Sequence, residues 1–209
     1  MDSTQSVLMV GATGAVGSCA ARALAGATGL VLTLLGRQPL TPLPAGEAVL
    51  VEQHGFDWFD PASYEARLGG HHTAICTLGV GQPSKMSRDE FVRIEKTALL
   101  HFATHCREAG IGHFQLLSSV GADARSASFY LRTKGEVEDG LRALGFARLS
   151  LFQPSMILTP TNRYGLLQGV TLLVWPWLNP LLPGPLRKLR GVPVETLVGR
   201  SPPMCLPAG

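Results

Sequence analysis

Between the apolar run Val7–Val10 and the alanine-rich stretch Ser18–Ala25 stands Gly11-Ala12-Thr13-Gly14-Ala15-Val16-Gly17. A short apolar run passing straight into glycines and then into helix formers reads as strand, tight turn and helix. Glycines spaced by two residues suit a turn in which a helix N-terminus meets a pyrophosphate. One glycine must turn tightly, another must let the backbone approach the phosphates, and a third must let helix and strand pack closely. The first helical turn then presents unpaired N–H groups and the positive end of its dipole. Gly11, Thr13, Gly14, Ala15, Val16 and Gly17 are therefore expected to contact a dinucleotide.

Downstream, short apolar runs alternate with longer amphipathic ones. The pattern predicts strands at Ser6–Val10, Leu30–Leu35, Ala48–Val51, Thr73–Thr77, His113–Ser118 and Ala147–Phe152. It predicts helices at roughly Ala15–Ala25, Pro61–Leu68, Arg88–Ala109 and Phe129–Leu144. Such alternation points to an α/β chain with a doubly wound parallel sheet, a Rossmann fold, whose ligands bind at the carboxyl ends of the strands. The 209 residues suit a single domain. It divides into a dinucleotide-binding core, residues 1–158, and a short irregular C-terminal extension, residues 159–209, expected to lie over the substrate cleft.

Composition excludes several classes. Charged residues make up 16% of the chain and the net charge is only +3, with the basic residues dispersed, so nucleic-acid binding gains no support. The greasy stretch Leu166–Leu182 is broken by Pro176, Asn179 and Pro180, which argues against a membrane span and for a pocket cover or a dimer contact. A homo-oligomer or a protein partner is thus left open. The N-terminus carries no basic leader, and a cytoplasmic location is expected. The four cysteines form no CxxC pair, and His101 and His105 beside Cys106 read as a solvated helix face, so no metal site is expected.

The residue ending the second strand separates NAD from NADP, because an acid there accepts from the ribose hydroxyls whereas an arginine pairs with a 2′-phosphate. Here the strand runs into Gly36-Arg37. That favours NADP(H) over NAD(H). Asp57 could accept from the adenine amino group, while Asp60, just before Pro61, suits a helix cap better. After the fourth strand, Cys76, Thr77, Leu78 and Gly79 would pass beneath the cofactor, their small residues allowing close approach.

The fifth strand ends in Ser118-Ser119, and Tyr130 and Lys134 lie four apart on a predicted helix, hence on one face. A phenol, with an ordinary pKa near 10, serves as an acid–base catalyst at neutral pH only when a nearby cation stabilises its anion. Lys134 can supply that charge and can also hold the nicotinamide ribose. Ser119, nearer the strand's carboxyl end than Ser118, is the expected hydroxyl for orienting a substrate oxygen.

The segments GATGAVG, CTLG, HFQLLSSVGAD, FYLRTKGEVE and LFQPSMIL together resemble an atypical short-chain dehydrogenase/reductase. Within that superfamily the chain is most similar to the Tat-interactive-protein-like oxidoreductases and their bacterial relatives. The resemblance spans Val7 to about Leu158. It implies Tyr130 as proton donor or acceptor, Lys134 as its partner and Ser119 as the orienting hydroxyl. It also implies cofactor contacts at Arg37, Asp57, Leu78 and Gly79, and nicotinamide contacts from Pro154, Ser155 and Met156. Glu95 stands where many superfamily members carry asparagine, and Gln153 where an arginine is common. The expected function is an NADP(H)-dependent oxidoreductase acting on a small carbonyl or alcohol substrate. The alternatives are an NADP(H)-binding regulatory protein and a nucleotide-sugar epimerase or dehydratase.

Overall fold

A computed structural model describes residues 5–43, 50–80, 86–154, 157–158 and 192–193. Its chain order is β1 (Gln5–Val10), α1 (Ala15–Ala25), β2 (Leu30–Leu35), β3 (Leu50–His54) and β4 (Thr73–Cys76), then α2 (Arg88–Val92) and α3 (Leu99–Glu108). There follow β5 (His113–Leu117), α4 (Phe129–Ala143) and β6 (Arg148–Phe152). Two short strands, β7 (Ile157–Leu158) and β8 (Val192–Pro193), pair in parallel as a separate ladder. The remainder of the 159–209 extension lies outside the described residues, as do Ser155 and Met156.

The six main strands lie in the order β3-β2-β1-β4-β5-β6, all parallel. This is the doubly wound arrangement predicted by the alternation. The order reverses between β1 and β4, and crevices open at that point in sheets of this kind.

The central strands read as unbroken apolar runs because both of their faces are buried. In β1, Val7 and Met9 pack with Ala20, Ala21 and Leu24 of α1 on one face. Leu8 and Val10 pack with Phe102 of α3 and with Val137 and Leu141 of α4 on the other. The two-residue period of the strand thus assigns each helix to its layer.

Two predicted helices differ in detail. Pro61–Leu68 forms a pair of single 3₁₀ turns, Pro61–Ser63 and Glu65–Arg67, not one α-helix. Glycines at 69 and 70 follow at once, and Asp60 caps the first turn by accepting from the amide of Ala62 at 3.1 Å. Three residues before a new cap are too few to propagate an α-helix. Arg88–Ala109 is helical as predicted, but α2 and α3 are joined by a π-helical turn, Arg93–Ala98. His105 of α3 is not simply solvated: Glu65 meets its Nδ1 at 2.7 Å.

Candidate active site

Val10, the last residue of β1, sits in register with Cys76, the last of β4. The turns leaving these two strands therefore meet at the switch point. Gly11 has φ +87°, which favours glycine. A Cβ on it would stand 2.7 Å from the Leu78 amide nitrogen and from Thr77 Oγ1. Gly17 is needed for contact as well, since a Cβ there would overlap the Gly11 carbonyl oxygen and lie 2.6 Å from Thr77 Oγ1. Thr77, expected only as a small residue beneath the cofactor, donates its hydroxyl to the Val10 carbonyl at 3.1 Å and so fastens the two turns together. Gly14 is the N-cap of α1 and offers no side-chain acceptor, and the first turn holds no acid. The positive end of this helix is thus left for an outside anion, which fits a pyrophosphate.

A cleft of about 750 Å³ opens here, within the usual range for a cofactor site. Gly11, Thr13, Arg37, Asp57, Leu78 and Gly79 all line it. Gly14, Ala15, Val16 and Gly17, at the start of α1, are not among its lining residues. Asp57 is exposed, and one of its carboxylate oxygens accepts from the Phe59 amide at 2.9 Å.

On the other side of the switch point, Ser128 caps α4, placing Tyr130 in the first helical turn and Lys134 one turn later. Tyr130 is half-buried, and the Lys134 ammonium lies 6.0 Å from the centre of its ring. Neither residue lines the cleft directly. Lys134 is buried under its floor, where Gly79 covers it: a Cβ on Gly79 would be 3.9 Å from Nζ. Its ammonium donates to Glu95 Oε2 at 2.5 Å, and the other oxygen of Glu95 accepts from the Val80 amide. Burial opposes the charge on Lys134, but the Glu95 carboxylate, with help from Tyr130, outweighs it and raises the ammonium's pKa. Removing one member of such a buried pair generally costs about 3–5 kcal/mol.

The two serines ending β5 diverge. Ser118 is buried and donates to Glu138 Oε1 at 2.6 Å. Ser119 is half-buried, and its carbonyl accepts from Ala122. Glu138 also accepts from the Gln153 amide at 2.8 and 3.0 Å and from Arg142 at 3.0 Å. Gln153, in the position where arginine is common in the superfamily, therefore anchors the end of β6 to α4. Pro154 is buried, and its carbonyl accepts from Val120 at 3.0 Å. The sequence held two hints of this network, an acid four residues after Lys134 and the unexpected glutamine, but spacing alone could not join them.

Among the described residues no helix is long and apolar enough to cross a membrane. Nor does any group of three or more His, Cys, Asp or Glu stand ready for a metal ion.

A family profile described as NAD(P)H-binding matches residues 11–157. The rat protein HTATIP2 is 36% identical over 156 residues, covering 74% of this chain and 63% of its own length. The mitochondrial protein FMP52-1 of Scheffersomyces stipitis is 27% identical over 193 residues, 92% of this chain and 80% of its own. Among solved structures, MoeE5 in complex with UDP-glucuronic acid and NAD superposes with a TM-score of 0.62 at 21% identity, over 81% of this chain and 60% of that one. The chain thus spans about three-fifths of the length of HTATIP2 and of MoeE5.

These relatives correct two expectations. Similar solved structures, MoeE5 and the Bordetella bronchiseptica enzyme WbmH among them, hold NAD, which overturns the preference for NADP(H). The inference rested on Arg37, an exposed residue lining the cleft, and an arginine beside a cleft can as well stand in solvent as pair with a phosphate. The FMP52 proteins are mitochondrial, which overturns the expected cytoplasmic location. That expectation rested on the lack of a basic leader, whereas receptor-read addresses of several kinds decide location. The glycine turn, the strand order and the profile over residues 11–157 agree: the chain belongs to the NAD(P)H-binding family, as an atypical short-chain dehydrogenase/reductase related to HTATIP2 and the FMP52 proteins.

Proposed function

We propose that this chain is an NAD-dependent oxidoreductase acting on a small carbonyl or alcohol, with Tyr130 handling the proton. The observation that carries the reading is the Tyr130–Lys134 pair at the start of α4, its ammonium directly under Gly79 of the cleft floor. Bound in the cleft, the dinucleotide supplies or accepts hydride at the substrate carbon. Tyr130 gives a proton to the carbonyl oxygen in reduction and takes it back in oxidation. Lys134, with the N-terminal end of α4, favours the phenolate left behind. Ser119 orients the substrate oxygen, and Pro154 would stand beside a bound nicotinamide.

NADH oxidation measured against a panel of aldehydes, ketones and quinones tests this. Turnover should appear with at least one class and fall about 10²–10⁴-fold in Tyr130→Phe, with NADH affinity retained. No turnover across the panel, or an undiminished rate in the variant, defeats the reading.

One observation favours a second reading, a binding protein with little turnover: the Lys134 ammonium is already engaged by Glu95. Tight NADH binding without turnover, and a protein partner retained only with NADH present, would support it.

A further inference from the structure

We propose that Glu95 is a positioning residue of this site, holding the Lys134 ammonium and the Val80 backbone together at the floor of the cleft. The proposal rests on the Tyr130–Lys134 reading above, but it concerns a residue that reading does not use. Three separate segments converge on this one carboxylate. It projects from the π-helical turn, takes Lys134 of α4 on Oε2 and takes the amide of Val80, beyond β4, on Oε1. A π turn inserts into a helix at a local cost, and such turns concentrate at functional sites. Here the turn carries a side chain that is 2% exposed. A carboxylate presents an acceptor to each of its two donors, whereas an amide would present an NH₂ group to one of them. The residue type is thus fitted to this geometry in a way that asparagine or glutamine is not.

The consequence is electrostatic. An unpaired ammonium this deeply buried would tend to lose its proton. With Glu95 in place it stays charged, and that charge is compensated before any phenolate forms at Tyr130. The other groups around Lys134 do not take over this role. Burial pushes the Cys76 thiol of β4 up to about 12 and keeps it neutral. On α4, Glu136 is paired with Lys96 of the π turn, and Glu138 is engaged by Ser118, Arg142 and Gln153. Glu95 is the carboxylate in contact with Lys134 among the described residues.

The test is a lysine side-chain NMR titration of the full chain without substrate. The chain has four lysines, so Lys134→Met assigns the signal. In the wild-type protein Lys134 should titrate above the ordinary lysine value of about 10.4. In Glu95→Gln its midpoint should fall by at least about one pH unit, and exchange of the Val80 amide should quicken about tenfold or more. Glu95→Asp, which keeps the charge, should retain most of the elevation. A wild-type midpoint at or below 10.4 overturns the proposal, as does a Glu95→Gln midpoint equal to wild type. If Glu95→Gln fails to fold, the wild-type and Glu95→Asp midpoints still decide. Because no turnover is read, survival of activity in Tyr130→Phe would defeat the oxidoreductase reading while leaving the role of Glu95 to be judged on these midpoints.

Discussion

The turn after β1 and the helix after β5 serve the same cleft but are built from different materials. The β1–α1 turn is made of backbone: its working parts are amides, a helix end and the space left by missing Cβ atoms. The α4 side is made of side chains, with two buried carboxylates, Glu95 and Glu138, each binding several donors from distant segments. A backbone site fails when volume is added. A side-chain site fails when a charge or a hydrogen-bond partner is removed.

The sharpest way to break this contrast is Gly17→Ala. The new methyl overlaps the Gly11 carbonyl oxygen and presses on Thr77 Oγ1, and the rigid strand–helix contact has little room to yield. We expect a loss of about 3 kcal/mol or more in urea denaturation, together with loss of NADH binding. A change below about 0.5 kcal/mol would show that the turn tolerates volume and that the contrast is false.

Removing Glu138 on the other side should cost less, because the half-exposed Arg142 and Gln153 beside it can turn to water. Glu138→Ala strands the Ser118 hydroxyl and the Gln153 amide, and a loss of about 1–3 kcal/mol is expected. Gln153→Ala in the Glu138→Ala background should then add almost nothing. Full additivity of the two would deny that they form one network.

The smallest effect lies at the opposite end of β5, away from the cleft. Burial first, and Arg148 second, lower the His113 pKa to about 4, against about 6.5 in an unfolded chain. The unfolded state therefore takes up the proton more readily. The stability this ring contributes is complete above about pH 6.5 and is lost as pH falls toward 4. With the ring only half-buried, about 1 kcal/mol is involved. His113→Gln should flatten that part of the stability–pH curve. An unchanged slope would show that His113 carries none of it.

These differences track what could be read in advance. Strand–turn–helix punctuation around Gly11 and Gly17 is local, so it was legible, as were five of the six strands to within two residues. Asp60 as a cap was legible for the same reason. The 3₁₀ turns after Pro61 were not, because an apolar period does not reveal how soon a helix is stopped. The π turn was invisible, since one extra residue per turn leaves little mark on composition. Arg37 was legible as a residue but not as a selector, because its effect depends on exposure and on the bound nucleotide.

By itself the sequence determined the α/β alternation, the glycine turn and the i, i+4 pairing of Tyr130 with Lys134, because each depends on backbone sterics and helical period over a few residues. Only the tertiary structure decided that Thr77 braces Gly11 and Gly17, that Ser118 turns inward to Glu138, and that Glu95 reaches Lys134 from 39 positions away. Those contacts depend on strand order and on how far each helix is wound before it meets its neighbour. Burial then makes them matter, because a charge removed from water must find its partner in the folded chain.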